Sequence, residues 1–135
     1  MASRSGGCLC GNVRYTINSE PALTVVCHCT HCQKASGSAF STNFVVPRAD
    51  VVFSGGEMSA YDDQADSGNR LSRSFCPTCG SSIMSESSGH PGVVVMKVGT
   101  LDDPSMVRPT MQIWTRSAQP WVRFAAEMVS MEKGR

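Results

Sequence analysis

The chain has little net charge, little helical patterning and no long apolar run. Twelve Lys and Arg stand against eleven Asp and Glu, a formal charge of +1 over 135 residues. With the two signs interspersed, no electrostatic footprint for nucleic acid emerges. Arg70 and Arg73 come nearest to a basic patch and read as two solvated strand positions. No segment approaches the roughly 18 apolar residues of a membrane-spanning helix. The start, Met1-Ala-Ser-Arg-Ser-Gly-Gly-Cys8, carries a charge but no apolar core of an export signal, so the expected compartment is the reducing cytoplasm. Internal repeats, linkers and low-complexity segments are also missing, which leaves one domain over residues 1–135 as the expectation.

What is present is cysteine, in three tight clusters: Cys8-Leu-Cys10, Cys27-His-Cys29-Thr-His-Cys32 and Cys76-Pro-Thr-Cys79. Seven is an odd number, so full disulfide pairing would leave one thiol over, and the cysteine content is below that of a small disulfide scaffold. Thiolates one or two residues apart point at a common centre and suit a soft tetrahedral cation such as zinc. Neither Cys8-x-Cys10 nor Cys76-x-x-Cys79 completes a tetrahedron alone, so each pair needs the other or two of the remaining three. Joining the first and third clusters leaves the fewest loose ends and closes a long loop, which stabilises a small fold.

Cys27, Cys29 and Cys32 then form a trio. Its fourth position is open to water, to a substrate thiol, or to His28 or His31 in a closed site. Three protein ligands plus an open position is the arrangement of a reactive zinc. A thiol that coordinated there would be deprotonated at neutral pH, which points to making or breaking carbon–sulfur bonds.

The β patterns are short. Asn12 to Ile17 alternates Val13, Tyr15 and Ile17; Ala22 to Val26, Ser38 to Val46 and Val93 to Val98 are apolar runs. Val51 to Phe53 and Glu57 to Tyr61 read as a hairpin about Ser54-Gly55-Gly56, followed by a polar loop from Asp62 to Asn69. Arg70 to Phe75 and Ser81 to Ser85 flank the third cysteine cluster, and Thr110 to Trp114 is one more strand. Helix is expected only at Gln33 to Ser36 and at the C-terminus, where Phe124, Met128 and Met131 recur at helical spacing. The trio is expected on a loop between strands. Gln33, Lys34, Ser36 and Ser38 follow the trio as candidate substrate contacts or turn residues. Asp102 and Asp103 read as turn or capping residues.

Taken in order, Gly7-Cys-x-Cys-Gly11, Cys27-His-Cys-x-x-Cys32, Gly37-Ser-Ala-Phe40, Phe75-Cys-x-x-Cys-Gly80, Gly99-Thr-Leu-Asp-Asp103 and Pro120-Trp121 resemble the glutathione-dependent formaldehyde-activating family, which includes centromere protein V. The resemblance covers about residues 5 to 122. It implies a mostly β domain of coiled antiparallel sheets, the β-tent type, stabilised by zinc. It further implies two zinc ions per chain: a structural one on Cys8, Cys10, Cys76 and Cys79, and a catalytic one on Cys27, Cys29 and Cys32. The implied activity is that of a carbon–sulfur lyase acting on a small thiol adduct, as in formation of S-(hydroxymethyl)glutathione from glutathione and formaldehyde. The chain departs from the family pattern where His-Ile-Phe and Ser-Lys-Ala-Pro-Trp are expected, reading Gln112-Ile-Trp114 and Ser117-Ala-Gln-Pro-Trp121. That departure keeps a second reading open, a noncatalytic zinc module that binds a partner or carries a thiol.

Overall fold

The computed structural model describes residues 4–124 and 128–134. In chain order the strands are β1 (Arg4–Gly7), β2 (Val13–Ile17), β3 (Leu23–Cys27), β4 (Ser41–Pro47), β5 (Val51–Gly55), β6 (Ser59–Gln64), β7 (Arg70–Phe75), β8 (Ser82–Ser87), β9 (Val93–Lys97), β10 (Met111–Ile113) and β11 (Val129–Ser130). One α-helix, α1 (Thr30–Ser36), accompanies them among the described residues. A three-stranded sheet runs β1-β2-β5, and an eight-stranded sheet runs β11-β10-β3-β4-β9-β8-β7-β6. The mostly β expectation is met. The sheets are antiparallel except where β10 enters parallel to β3 and to β11. That direction requires a long connection, which residues 98–110 provide.

The alternation of β2 puts Val13, Tyr15 and Ile17 inward, and they meet Phe44, Val46, Val94 and Met96 from the larger sheet in one buried core. Side chains alternate across a strand, so the opposite face of β4 and β9 is free for other work. Cross-strand partners lie on one face. Cys27 faces Ser41, and Asn43 faces both Val25 and Lys97, which gathers these polar groups on the side turned away from the core. A bulge in β8 sets Ser74 opposite Met84 and Phe75 opposite Ser82, so Ile83 and Met84 are both buried despite being neighbours.

Four expectations are corrected. Val51 to Phe53 and Glu57 to Tyr61 do not form a hairpin with each other: β5 pairs with β2 and β6 pairs with β7, so the chain changes sheets at Gly55-Gly56. The polar segment from Asp62 is still strand through Gln64, because its partners in β7 continue the ladder. The C-terminal helical spacing is not realised where it is described, since Val129 and Ser130 are strand; residues 125–127 of that segment lie outside the described residues. Arg73 is not a solvated position, with a side chain only 12% exposed. Arg4–Gly7 had no apolar signature to mark it as a strand. Its Gly6 is required sterically, because Tyr15 Oη and the Thr100 carbonyl occupy the space a Cβ would take.

Asp102 binds this corner together, accepting from the Arg14 guanidinium at 2.9 and 2.5 Å and from the Ser5 hydroxyl at 2.8 Å. The Arg14 hydrogen bonds, then that from Ser5, hold the Asp102 carboxyl down at about 2. Because the folded value lies below the unfolded one of about 3.9, this stabilisation is present above pH ~4 and is lost as pH falls towards 2. Asp102→Asn should therefore lower stability throughout the range above pH ~4, leave it nearly unchanged near pH 2 and so flatten the acid limb between them, as read by urea unfolding across pH. Gly6→Ala should lower stability by about 1–3 kcal/mol, the usual cost of overpacking, with an unchanged denaturant slope.

Candidate metal centres

Two groups of cysteine sulfurs converge, each with all its sulfurs within 4.8 Å of one another. The first joins Cys8 and Cys10 to Cys76 and Cys79. Gly11 (φ 82°) and Gly80 (φ 79°) adopt left-handed backbone that lets each short loop turn its two thiols the same way. The turns are closed by Gly11 N–H to the Cys8 carbonyl (3.1 Å) and Gly80 N–H to the Cys76 carbonyl (2.8 Å). Cys8 and Cys10 sulfurs stand 3.6 Å apart, and those of Cys10 and Cys76 3.8 Å. Four sulfurs at ~2.3 Å from one ion form a tetrahedron with edges of about 3.8 Å, whereas a disulfide would need ~2.05 Å. The donor set therefore fits a closed four-thiolate metal site and is consistent with zinc.

Thiols this close cannot all ionise without a cation. The Val13 amide, donating at 3.2 Å, lowers Cys8. The hydroxyl and amide of Ser81 hold Cys79 down at about 5. Cys10 is pulled down by the Asn12 amide but pushed up to about 11 by the Cys8 sulfur, by burial and by the other two sulfurs. A bound divalent ion relieves that competition.

The second group is Cys27, Cys29 and Cys32. It is not on a plain loop, as the sequence suggested. Cys27 ends β3, Cys29 caps α1 by accepting the Cys32 amide at 3.2 Å, and Cys32 lies in the first turn of the helix. Cys32 is the most acidic of the three, because Cys27 and Cys29 donate towards it, with help from Ser41 and Lys97; Cys27 is raised for the reciprocal reason.

Neither histidine joins the trio. His28 is fully buried, its ring against Phe40 and Phe124, and its Nε2 meets Gln112 Oε1 at 2.8 Å. The Gln112 amide nitrogen donates to Ser130, so its oxygen accepts and the His28 proton sits on Nε2. The departure at Gln112 is thus absorbed by His28, not by a pocket over the trio. His31 Nδ1 donates to Asp63 (2.8 Å), which also accepts from Arg73 Nε (2.9 Å). Burial raises the Asp63 carboxyl, but these two partners outweigh it and leave it below its usual range.

Four residues that no motif marked stand beside the trio. Arg73 and Lys97 lie within electrostatic reach of Cys32, Asn43 accepts from Lys97 Nζ at 2.9 Å, and Ser41, the cross-strand partner of Cys27, helps to lower Cys32. The one available signal was Lys97 itself, a lone charge closing an otherwise apolar run. Of the residues after the trio, Gln33 spans to the His28 and Ser117 carbonyls (2.6 and 3.0 Å) and accepts from Gln119 (2.8 Å), tying down the 115–119 segment. Lys34 and His90 are exposed, and Asp103 caps the turn at Ser105. Trp121 is 70% exposed.

A mostly β chain with two converging thiol clusters defines the class, and sequence comparison supplies the family. The model of the glutathione-dependent formaldehyde-activating enzyme family matches residues 3–117, and the chain belongs to that family. It is also similar to a putative glutathione-dependent formaldehyde-activating enzyme of Penicillium rubens, 36% identical over 75 residues that make up 54% of this chain. The aligned stretch is 37% of that relative's length. The fold is shared with a Rhodobacter sphaeroides protein of known crystal structure, at a TM-score of 0.59 and 20% identity over 78% of this chain and 91% of the other.

Gln112→Leu should strand the His28 Nε2–H in the core and cost about 1–3 kcal/mol in urea unfolding, the penalty of an unpaired buried donor. The reactivity of the three trio thiols in the metal-free protein should stay the same, because Gln112 touches none of them.

Proposed function

We propose that this chain is a zinc-dependent carbon–sulfur lyase that makes or breaks the bond between a small thiol and an aldehyde carbon, with glutathione and formaldehyde the family's pair. The observation that carries this reading is the trio: three sulfurs converge while His28 Nε2 is taken by Gln112 and His31 Nδ1 by Asp63, so among the described residues three donors gather there without a fourth. Cys8, Cys10, Cys76 and Cys79 would hold a structural ion, and Cys27, Cys29 and Cys32 a reactive one. Zinc at the trio, when bound, supplies a soft acceptor that favours an incoming thiol in its thiolate form.

The protein's own groups prepare for that charge. Lys97 and Arg73 set positive charge beside the thiolates, and Asp63 holds Arg73 in place. Ser41 helps to lower Cys32, and the Cys32 amide fixes Cys29. In the forward direction the sulfur–carbon bond forms as the carbonyl π bond breaks, and the proton given up by the thiol ends on the former aldehyde oxygen. Breakdown runs the same transfers backwards. A cleft of about 500 Å³ whose lining includes Ser41, the cross-strand partner of Cys27, and Lys97 favours this reading over a noncatalytic module, which would need an exposed apolar patch instead.

The test is Cys29→Ser in zinc-replete protein. Zinc should fall from about two ions per chain to about one while the fold persists, because the four-cysteine centre is untouched. Formation of S-(hydroxymethyl)glutathione, followed by NMR, should drop by at least about 100-fold relative to wild type. Unchanged turnover of every thiol adduct tried would remove the enzyme reading and leave the binding module.

A further inference from the structure

Helix α1 brings Cys29, its cap, and Cys32 to the trio, yet it has almost nothing apolar to hold it. Thr30, Lys34, Ala35 and Ser36 are exposed, and Cys32 is its one buried residue. Seven residues are too few for a helix to stand by itself. Without an apolar face to dock, its place depends on hydrogen bonds from its side chains. Two of them tie it to distant parts of the chain. Gln33 reaches the Ser117 carbonyl, and His31 reaches Asp63 on β6, its Nδ1 standing 3.0 and 2.8 Å from the two carboxylate oxygens. Residues two apart stand about 200° apart around a helix, so the two ties hold opposite sides of α1.

The anchor on β6 is itself fixed. Tyr61 faces Arg73 and Asp63 faces Leu71, which makes Asp63 and Arg73 diagonal neighbours on one face of the two strands. Arg73 Nε donates to Asp63 Oδ2 at 2.9 Å, and the two side chains are only 12% and 15% exposed. A carboxylate matched to a guanidinium in this way offers His31 an acceptor that does not wander. His31 in turn stands between Cys29 and Cys32 in the chain, so what holds its ring holds the turn that carries both sulfurs.

We propose that Asp63 is a positioning residue for the trio: through His31 it fixes the first turn of α1 so that Cys29 and Cys32 meet Cys27, and it thereby sets how tightly the trio holds a metal. The proposal rests on the reading of the trio as a metal centre. The four-cysteine centre, built on the turns at Gly11 and Gly80, takes no part in this tie.

The experiment titrates the zinc-loaded full chain with EDTA and follows the zinc that remains. The trio's share is the difference between that curve and the curve for Cys29→Ser, which keeps the four-cysteine centre alone. His31→Leu removes the donor at a partly exposed position and keeps a residue that favours helix. It should weaken zinc at the trio by about 10–100-fold, the range for groups that orient metal ligands, and shift the four-cysteine centre by less than about threefold. His31→Ala, a second variant without the donor, should do the same. His31→Asn, whose amide N–H stands near the place of Nδ1–H, should return the trio to within about threefold of wild type. Asp66→Asn should change neither centre, because Asp66 is exposed and meets only Nε2, at 3.5 Å. An unchanged trio in both donor-free variants overturns the proposal. So does an equal weakening of the two centres, which is what a general loss of stability would give, or a failure of His31→Asn to restore the trio. If the wild-type curve is the same as that of Cys29→Ser, the reading of the trio fails first and this proposal with it.

Discussion

Crowding of thiols is the constraint on which the rest of this structure depends. Seven cysteines occupy two clusters in which every sulfur lies within 4.8 Å of the others. Such sulfurs either share protons, which drives their acidities apart, or share a cation. Within the first cluster Ser81 holds Cys79 near 5 while the neighbouring sulfurs push Cys10 to about 11, so the four thiols differ widely in acidity. A divalent ion held there would relieve that competition and join segments 66 residues apart, as Cys10 and Cys76 are. In a chain of this size that cross-link adds to a core which alone is modest.

The two centres differ in how they are built. The four-cysteine centre is made from two tight turns and closes on itself. The trio is made by register: the face of β3, β4 and β9 opposite the core brings Cys27, Ser41, Asn43 and Lys97 together, and α1 adds Cys29 and Cys32. One face of the sheet packs the core while the other gathers the trio and its polar neighbours, and strand alternation keeps them separate. Arg73 and Asp63, on β7 and β6, extend the same face to His31.

The two converging thiol clusters were legible in the sequence because such clusters are written locally: Cys-x-Cys and Cys-x-x-Cys are complete statements within four residues. The strands with clean alternation, such as Val13 to Ile17, were legible for the same reason. What was hidden depends on pairing at a distance. Nothing near Val51 says that β5 joins β2 and not the adjacent β6, and nothing near Gly6 says that a strand passes Tyr15 too closely for a side chain. Asp63, Arg73 and Lys97 belong to the site through register alone. His28 and His31 stood as candidate ligands until their partners Gln112 and Asp63, from distant strands, were in place.

The central claim is that one centre is closed with four protein sulfurs and the other is open with three. Zinc-edge X-ray absorption of the fully loaded protein counts the sulfur neighbours directly. The account predicts an average of about three and a half sulfurs per zinc, with an oxygen or nitrogen neighbour making up the difference, rising to about four when glutathione is added. An average of four before any thiol is added, or no change on its addition, would contradict it.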